Sequence, residues 1–251
     1  MPEASNLDVR IHFEIEGEGP PLVLMHGFGG SARFWRSTGL AGSLMERHRL
    51  ILIDSRGHGE SDKPHSGYAY AFSQRAGDVV AVLDEAGIEQ ADYFGYCLGG
   101  WIGLGVARYA PERLRVLGIG GAHPYGEDLA PYRAMLKDGM ESALQALEEE
   151  AGAALPPPVR EEILDNDVEA LRMAYKTDRA PMPEIKEAMP LPCFMFAGSE
   201  DPLYPLVEQY ARASPHTRFL RLEGLNHVQT ALHLGKVMPE FERFLEETPS
   251  A

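Results

Sequence analysis

The sequence has almost no cysteine. Cys97 and Cys193 are the two thiols in 251 residues, too few for the disulfide framework that staples small secreted domains. Long apolar runs are missing as well: no stretch approaches the roughly 20 residues that span a bilayer. Positive charge is scarce. Lys and Arg number 23 against 38 Asp and Glu, a formal net charge of −15, and so acidic a chain is repelled by nucleic acid and by anionic membranes alike. Cysteine and histidine nowhere cluster at metal-ligand spacing. Neither a phosphate-cradling loop nor a dinucleotide fingerprint occurs. The expectation is a protein without metal or cofactor that binds neither nucleic acid nor membrane. Its opening residues, MPEASNLDVR, lack the charged-then-apolar order of a signal peptide, so a cytoplasmic location is expected. Nothing in the pattern specifies an oligomeric state.

What is present is a soluble globular composition, 44% hydrophobic and 24% charged. Short apolar runs end in glycine-rich turns at 9–15, 21–27, 49–59, 91–100, 115–121, 193–201 and 217–224. The inner runs are apolar on successive residues, as in strands covered on both faces. Helical patterns separate them, at about 72–86, 98–109, 203–213 and 236–247. Alternating strands and helices predict an α/β fold with a mostly parallel, doubly wound sheet. The run VRIHFEIEGEGPPLVLMHG suits an antiparallel hairpin at the sheet edge.

Residues 124–190 break this rhythm. They are rich in Ala, Leu, Met and Glu, hold no strand-like run, and are divided by the prolines 156–158. About 65 residues is too long for one ordinary crossover. The expectation is a helical lid inserted after the sixth strand, over a core made of residues 1–123 and 191–251. Met135, Met140, Leu144 and Met173 suggest an apolar pocket beneath it, or simply packing on the sheet.

Cys97 lies in FGYCLGG (94–100), where a strand pattern ends and a helix begins. Two readings stand side by side: a buried structural thiol, or a nucleophile on a sharp elbow that Gly95 and Gly99 permit. A helix start favours a thiolate, and the following amide, on Leu98, can face a developing oxyanion. In LMHGFGG (24–30) the amide of Phe28 offers a second donor, with His26 bracing the turn. Asp201, with Glu200 as its rival, ends another strand pattern in FAGSEDP; it can orient a base or merely cap the next helix. His227 sits in GLNH, after the last strand. The order is nucleophile, acid, histidine, each at the end of a strand. Arg56 and His58 in SRGHG (55–59) are expected to hold their turn. Trp35, Trp101, His123 and Tyr125 are candidates to line a substrate pocket, with core packing as the alternative for the tryptophans.

Over essentially its whole length the chain resembles the α/β-hydrolase family. HGFGGSARFW resembles the oxyanion-loop signature and DSRGHGESD the turn common in its lidded esterase, haloperoxidase-like and carbon–carbon hydrolase branches. GYCLGG fills the elbow, GSEDP the acid turn and GLNH the histidine turn. The departure is cysteine where most members carry serine. Dienelactone hydrolases have a very similar elbow, as do polyhydroxyalkanoate synthases. The resemblance implies a Cys97–His227–Asp201 triad, an oxyanion hole from Phe28 and Leu98, and a small-molecule acyl substrate: an ester, lactone or thioester cleaved through an acyl-cysteine. Its alternatives are an acyltransferase with the same triad, an inactive or ligand-binding relative, and a serine esterase whose serine has become cysteine.

Overall fold

The computed structural model describes residues 2–249. Eight strands form one sheet: β1 (Glu3–Asn6), β2 (Val9–Glu16), β3 (Pro21–Met25), β4 (Arg49–Ile53), β5 (Ala91–Tyr96), β6 (Leu114–Gly120), β7 (Cys193–Gly198) and β8 (Thr217–Leu222). Their order across the sheet is β1-β2-β4-β3-β5-β6-β7-β8. From β4 to β8 every pairing is parallel; β1 with β2, and β2 with β4, are antiparallel.

The inner parallel strands, β3 to β7, are buried on both faces because alternate side chains enter two separate cores. Val23, Met25, Ile51 and Ile53 point to one; Leu22, Leu24, Leu50 and Leu52 point to the other. This is the period of two that a pleated strand imposes. Helices α1 (Ala32–Ser37) and α2 (Leu40–Leu44) follow β3, α3 (Phe72–Glu85) follows β4, and α4 (Leu98–Tyr109) follows β5. Val79 and Val82 of α3 and Leu104 and Val106 of α4 cover the first face. Trp35 of α1 and Leu40 of α2 help cover the second.

Between β6 and β7 come five helices: α5 (Ala130–Met135), α6 (Met140–Ala151), α7 (Pro157–Leu164), α8 (Val168–Ala174) and α9 (Pro183–Glu187). Leu136, Met140, Leu144, Leu155, Ile163 and Leu171 of this segment form a third apolar cluster, apart from the two sheet cores. Its ends are tied together by a two-residue bridge between Glu127 and Arg179. The chain then closes with α10 (Tyr204–Ala213), α11 (His227–Leu232) and α12 (Met238–Glu247). Among the described residues no helix is long and apolar enough to cross a membrane.

The expected hairpin between the runs 9–15 and 21–27 does not form. β2 lies against β4, with Phe13 opposite Ile53, and β4 separates it from β3. β4 (RLILI) is buried from Leu50 to Ile53, so it needs a strand on each side. The polar positions Glu14 and Glu16 of β2 are matched instead by Arg36 of α1. The true hairpin joins β1 to β2 through Leu7 and Asp8, both at positive φ (52° and 61°). Two successive left-handed residues fit a tight hairpin whose twist suits the strands.

Candidate active site

The site stands at the carboxyl ends of β3, β5, β7 and β8. β3 and β5 are neighbours, with Met25 paired to Gly95, and the strand order reverses about them. In open α/β sheets such a reversal opens a crevice.

Cys97 links β5 to α4 with φ 55° and ψ −110°, a conformation that costs a non-glycine residue about 1–3 kcal/mol. Its amide donates to the Gly120 carbonyl at 2.9 Å, and its carbonyl accepts from the Trp101 amide at 3.0 Å. Two glycines are required for the chain to turn here. A Cβ on Gly95 would lie 2.5 Å from the Gly99 backbone, and one on Gly99 would lie 2.1 Å from the Met25 carbonyl oxygen. The Cys97 side chain thus emerges at the start of a helix, above the sheet.

Asp201 and His227 meet beside it. His227 begins α11, whose preceding residue, Asn226, makes a reciprocal capping box with Gln229. Its Nδ1 lies 2.7 Å from Asp201 Oδ2, and its carbonyl accepts from Tyr96 Oη at 2.7 Å. The other Asp201 oxygen accepts from the Leu203 amide at 2.8 Å, so the residue both orients the imidazole and caps the following turn. Glu200 is exposed. With Nδ1–H donated to Asp201, His227 presents Nε2 to Cys97. That atom is buried and makes no regular hydrogen bond among the described residues.

Burial is the largest influence on the Cys97 thiol and raises its pKa. Attraction to His227, with smaller help from Arg179 and Tyr132, outweighs burial, and the net direction is downward. For His227 burial acts downward, but Cys97 and Asp201 together hold the imidazole well above its ordinary value. Both directions favour a thiolate beside an imidazolium.

The Gly27 backbone passes close enough to Cys97 that a Cβ there would lie 3.4 Å from Cys97 Cβ. The next amide, Phe28 N–H, and the Leu98 N–H of the first helical turn donate to no acceptor among the described residues. The turn beneath is braced by His26, whose Nδ1–H donates to the Gly27 carbonyl at 2.8 Å while Nε2 accepts from the Ser55 amide at 3.0 Å. Asp54 accepts from the Ala32 and Glu60 amides and pairs with His12. Arg56 is buried on Asp78 at 2.6 Å, and His58 is buried with burial pressing its pKa well down. These groups tie loops together and stand away from Cys97.

A cavity of about 440 Å³ opens onto Cys97, His227 and Asp201. Its walls are mainly apolar; Met135, Leu147, Leu155, Val159 and Ile163 come from the segment between β6 and β7. Trp35 and His123 border it, Trp35 also packing fully buried against Phe34 and Phe94. Trp101 and Tyr125 do not border it. Trp101 lies one turn into α4, its ring tilted by 34° against Phe72 of α3 with centroids 4.3 Å apart. Tyr125 faces Tyr210 of α10 and the Lys186 ammonium and packs against the first sheet core. Tyr132 of α5 is a contact that sequence reasoning missed: its hydroxyl lies 3.4 Å from Cys97 Sγ. No sequence signal placed one tyrosine of a 65-residue helical segment over the thiol. Among the described residues no group of three or more His, Cys, Asp or Glu is placed to hold a metal ion.

Residues 20–156 match a protein family described as alpha/beta hydrolase fold. Among curated proteins the chain is 41% identical over 122 residues to a putative carbamate hydrolase of Azorhizobium caulinodans, covering 47% of this chain and 43% of that one. The chain spans about half the length, or less, of the curated relatives it matches. Its structure superposes on that of an enol-lactonase from Burkholderia xenovorans with a TM-score of 0.84, 21% identity, and coverage of 98% of this chain and 100% of that chain. An esterase from Rhodococcus sp. gives a TM-score of 0.83 at 23% identity, with 99% of each chain covered.

Proposed function

The chain belongs to the alpha/beta hydrolase family, and from that premise we propose that it hydrolyses a small ester, lactone or thioester through an acyl-cysteine on Cys97. One observation carries the reading. The Asp201–His227 pair, 2.7 Å apart, leaves Nε2 facing a thiol held on a strained elbow at the mouth of an apolar cavity. The chemistry follows from that arrangement. The Cys97 thiolate attacks the carbonyl carbon, and the oxyanion accepts hydrogen bonds from the Phe28 and Leu98 amides. Each such donor is worth roughly 2.7–4 kcal/mol in the transition state. As the tetrahedral intermediate collapses, the C–O or C–S bond of the substrate breaks and His227 Nε2–H protonates the leaving group. Neutral His227 then takes a proton from water, the hydroxide attacks the thioester, and Cys97 leaves as thiolate with His227 protonated again.

The cysteine elbow aligns the site with the dienelactone hydrolase branch, and the helices between β6 and β7 act as its lid. Two unpaired thiols suit a reducing cytoplasm. Intact mass spectrometry after mixing with short acyl esters, lactones and thioesters tests the reading. An adduct of one acyl group on Cys97, lost together with turnover in Cys97→Ala, is expected. Turnover that survives Cys97→Ala would overturn it.

A further inference from the structure

The loop that carries the Phe28 amide is held from two sides. From the core, His26 Nδ1–H donates to the Gly27 carbonyl at 2.8 Å. From the end of α7, the Asn166 side chain donates to the Gly29 carbonyl at 2.8 Å. Gly29, Gly30, Glu162 and Ile163 all border the cavity, so this second tie lies at its wall. Asn166 follows the last turn of α7, where backbone carbonyls have no partner within the helix. Its Nδ2 lies 2.8 Å from the Glu162 carbonyl and 3.2 Å from that of Ile163. An amide nitrogen carries two hydrogens; one is shared between these two helix-end carbonyls, and the other crosses to Gly29. Three carbonyls around one atom also fix which end of the side-chain amide is nitrogen. α7 rests on the loop here, since a Cβ on Gly29 would lie 3.5 Å from Ile163 Cγ1.

The consequence for Phe28 follows from peptide geometry. A trans peptide is planar and points its C=O and N–H in opposite directions, and the peptides of this loop are trans. The Gly29 carbonyl is drawn to Asn166. The Gly30 N–H, at the other end of that peptide, therefore points back into the loop, where it donates to the Gly27 carbonyl at 3.3 Å. The Gly27 carbonyl, held by Gly30 and His26 together, turns the Phe28 N–H the opposite way, out of the loop. Two peptides thus stand in series between Asn166 and the amide offered to the oxyanion, and hydrogen bonds in series polarise one another. Residues 27–30 read GFGG, so the loop has little stiffness of its own and its shape depends on these bonds.

We infer that Asn166 is a positioning residue: through Gly29 and Gly30 it aims the Phe28 N–H at the oxyanion that forms when Cys97 attacks a carbonyl. The inference rests on the proposed acyl-cysteine chemistry, but the relay of hydrogen bonds can be measured without turnover. A second tie between the same elements serves as the control. Arg33 of α1 pairs with Asp165, the neighbour of Asn166, at 2.9 Å on the exposed surface. That pair holds α7 against α1 without a bond to a loop carbonyl, and so separates the seating of α7 from the aim of the amide.

The test uses Asn166→Ser in the intact protein. The serine hydroxyl can still donate to the Glu162 carbonyl four residues back, but its one hydrogen cannot serve Gly29 as well. Three probes are compared. Turnover of p-nitrophenyl acetate needs the oxyanion donors. Butyraldehyde adds to the Cys97 thiolate, its oxygen taking the His227 proton as the C–S bond forms, and that oxygen sits where the oxyanion would. Iodoacetamide alkylates the same thiolate with loss of iodide and needs no oxyanion donor. Asn166→Ser is expected to lower kcat by about tenfold with KM little changed. This is short of the roughly 10²–10³-fold that loss of a whole oxyanion donor costs, because His26 still holds Gly27. Inhibition by butyraldehyde should weaken by a similar factor, while alkylation keeps its rate. Asp165→Asn should leave all three unchanged. Unchanged kcat and inhibition in folded Asn166→Ser overturn the inference. So do equal losses in Asp165→Asn, which would assign the effect to the seating of α7, or a matching fall in alkylation, which would assign it to Cys97. Without turnover, the Phe28 and Gly30 amide resonances in NMR spectra are expected to move in Asn166→Ser and stay in place in Asp165→Asn. That outcome in a protein that neither cleaves the ester nor binds the aldehyde fails the hydrolase reading and leaves the relay standing. Resonances that stay fixed in both variants overturn the relay.

Discussion

The two cysteines of this chain have the same side chain and opposite surroundings. Cys97 starts a helix beside His227, which draws its pKa down against burial. Cys193 sits inside β7, where burial pushes its thiol up to about 12. Since the thiolate is the reactive form, iodoacetamide at neutral pH is expected to modify Cys97 first; mass mapping that finds Cys193 labelled first, with activity lost, would reverse the assignment. The acid divides in the same way. Asp201 holds His227 Nδ1, and its neighbour Glu200 is exposed. Asp201→Asn should therefore lower turnover by roughly 10³–10⁴-fold, as loss of the orienting acid does in such triads, while Glu200→Gln changes it little. Equal losses in folded variants would remove Asp201 from its role. These residues were visible in the sequence because each follows a strand and the elbow glycines mark the turn. Tyr132 and Arg179 were not. Nothing in the local pattern of a buried arginine or tyrosine tells which distant side chain it will face. Trp101 and Tyr125 failed as cavity-lining residues for the converse reason: their places at strand and helix ends were legible, but the direction of a side chain depends on neighbours from elsewhere in the chain.

At the scale of elements, the segment between β6 and β7 is fastened to the rest of the fold by a buried acid. Ser31, the residue capping α1, donates its hydroxyl to Glu162 of α7. Burial is the largest influence on Glu162 and raises its pKa from the usual 4.5 to about 7. The sign of its effect on stability follows. The unfolded chain loses this proton near 4.5, the folded chain only near 7, so between those values the unfolded state binds fewer protons and stability falls as pH rises. By pH 8 the loss is complete, up to about 3 kcal/mol. Glu162→Gln keeps an acceptor for Ser31 and cannot ionise. It should raise the melting temperature by several degrees at pH 8 and change it little at pH 4; an equal shift at both would show that Glu162 does not titrate as described. The helices here were legible from composition and the proline break, and β4 to β8 from their apolar runs. The pairing of β2 with β4 was not, because two strands close in sequence favour a hairpin on local grounds. Only the need of β4 for two neighbours decides otherwise. The short β1 was also missed, since Leu7 and Asp8 are poor advertisements for a left-handed turn.

Across the whole molecule the strand-helix alternation was enough to give a mostly parallel sheet, because residues buried on both faces leave few other architectures. It did not show that the apolar interior is divided. Two clusters sandwich the sheet; the third, formed mainly by α5 to α8, meets the rest through a few side chains such as Phe28, Phe34 and Val228. Local opening is easiest where an apolar unit shares least surface with the remainder. Helices α5, α7, α8 and α9 have 5 to 8 residues each, too short to persist in water without that packing. β5, by contrast, is buried at every residue and paired on both edges. Amide hydrogen exchange should therefore be fastest in residues 124–190 and slowest in β3 and β5. Because Tyr132 of α5 reaches Cys97, an acyl group trapped there should slow exchange in α5 while leaving α12 unchanged. If the amides of α5 to α9 were protected as strongly as those of β5, the segment would be part of one rigid core. It would then have no motion with which to admit a substrate to the cavity it covers.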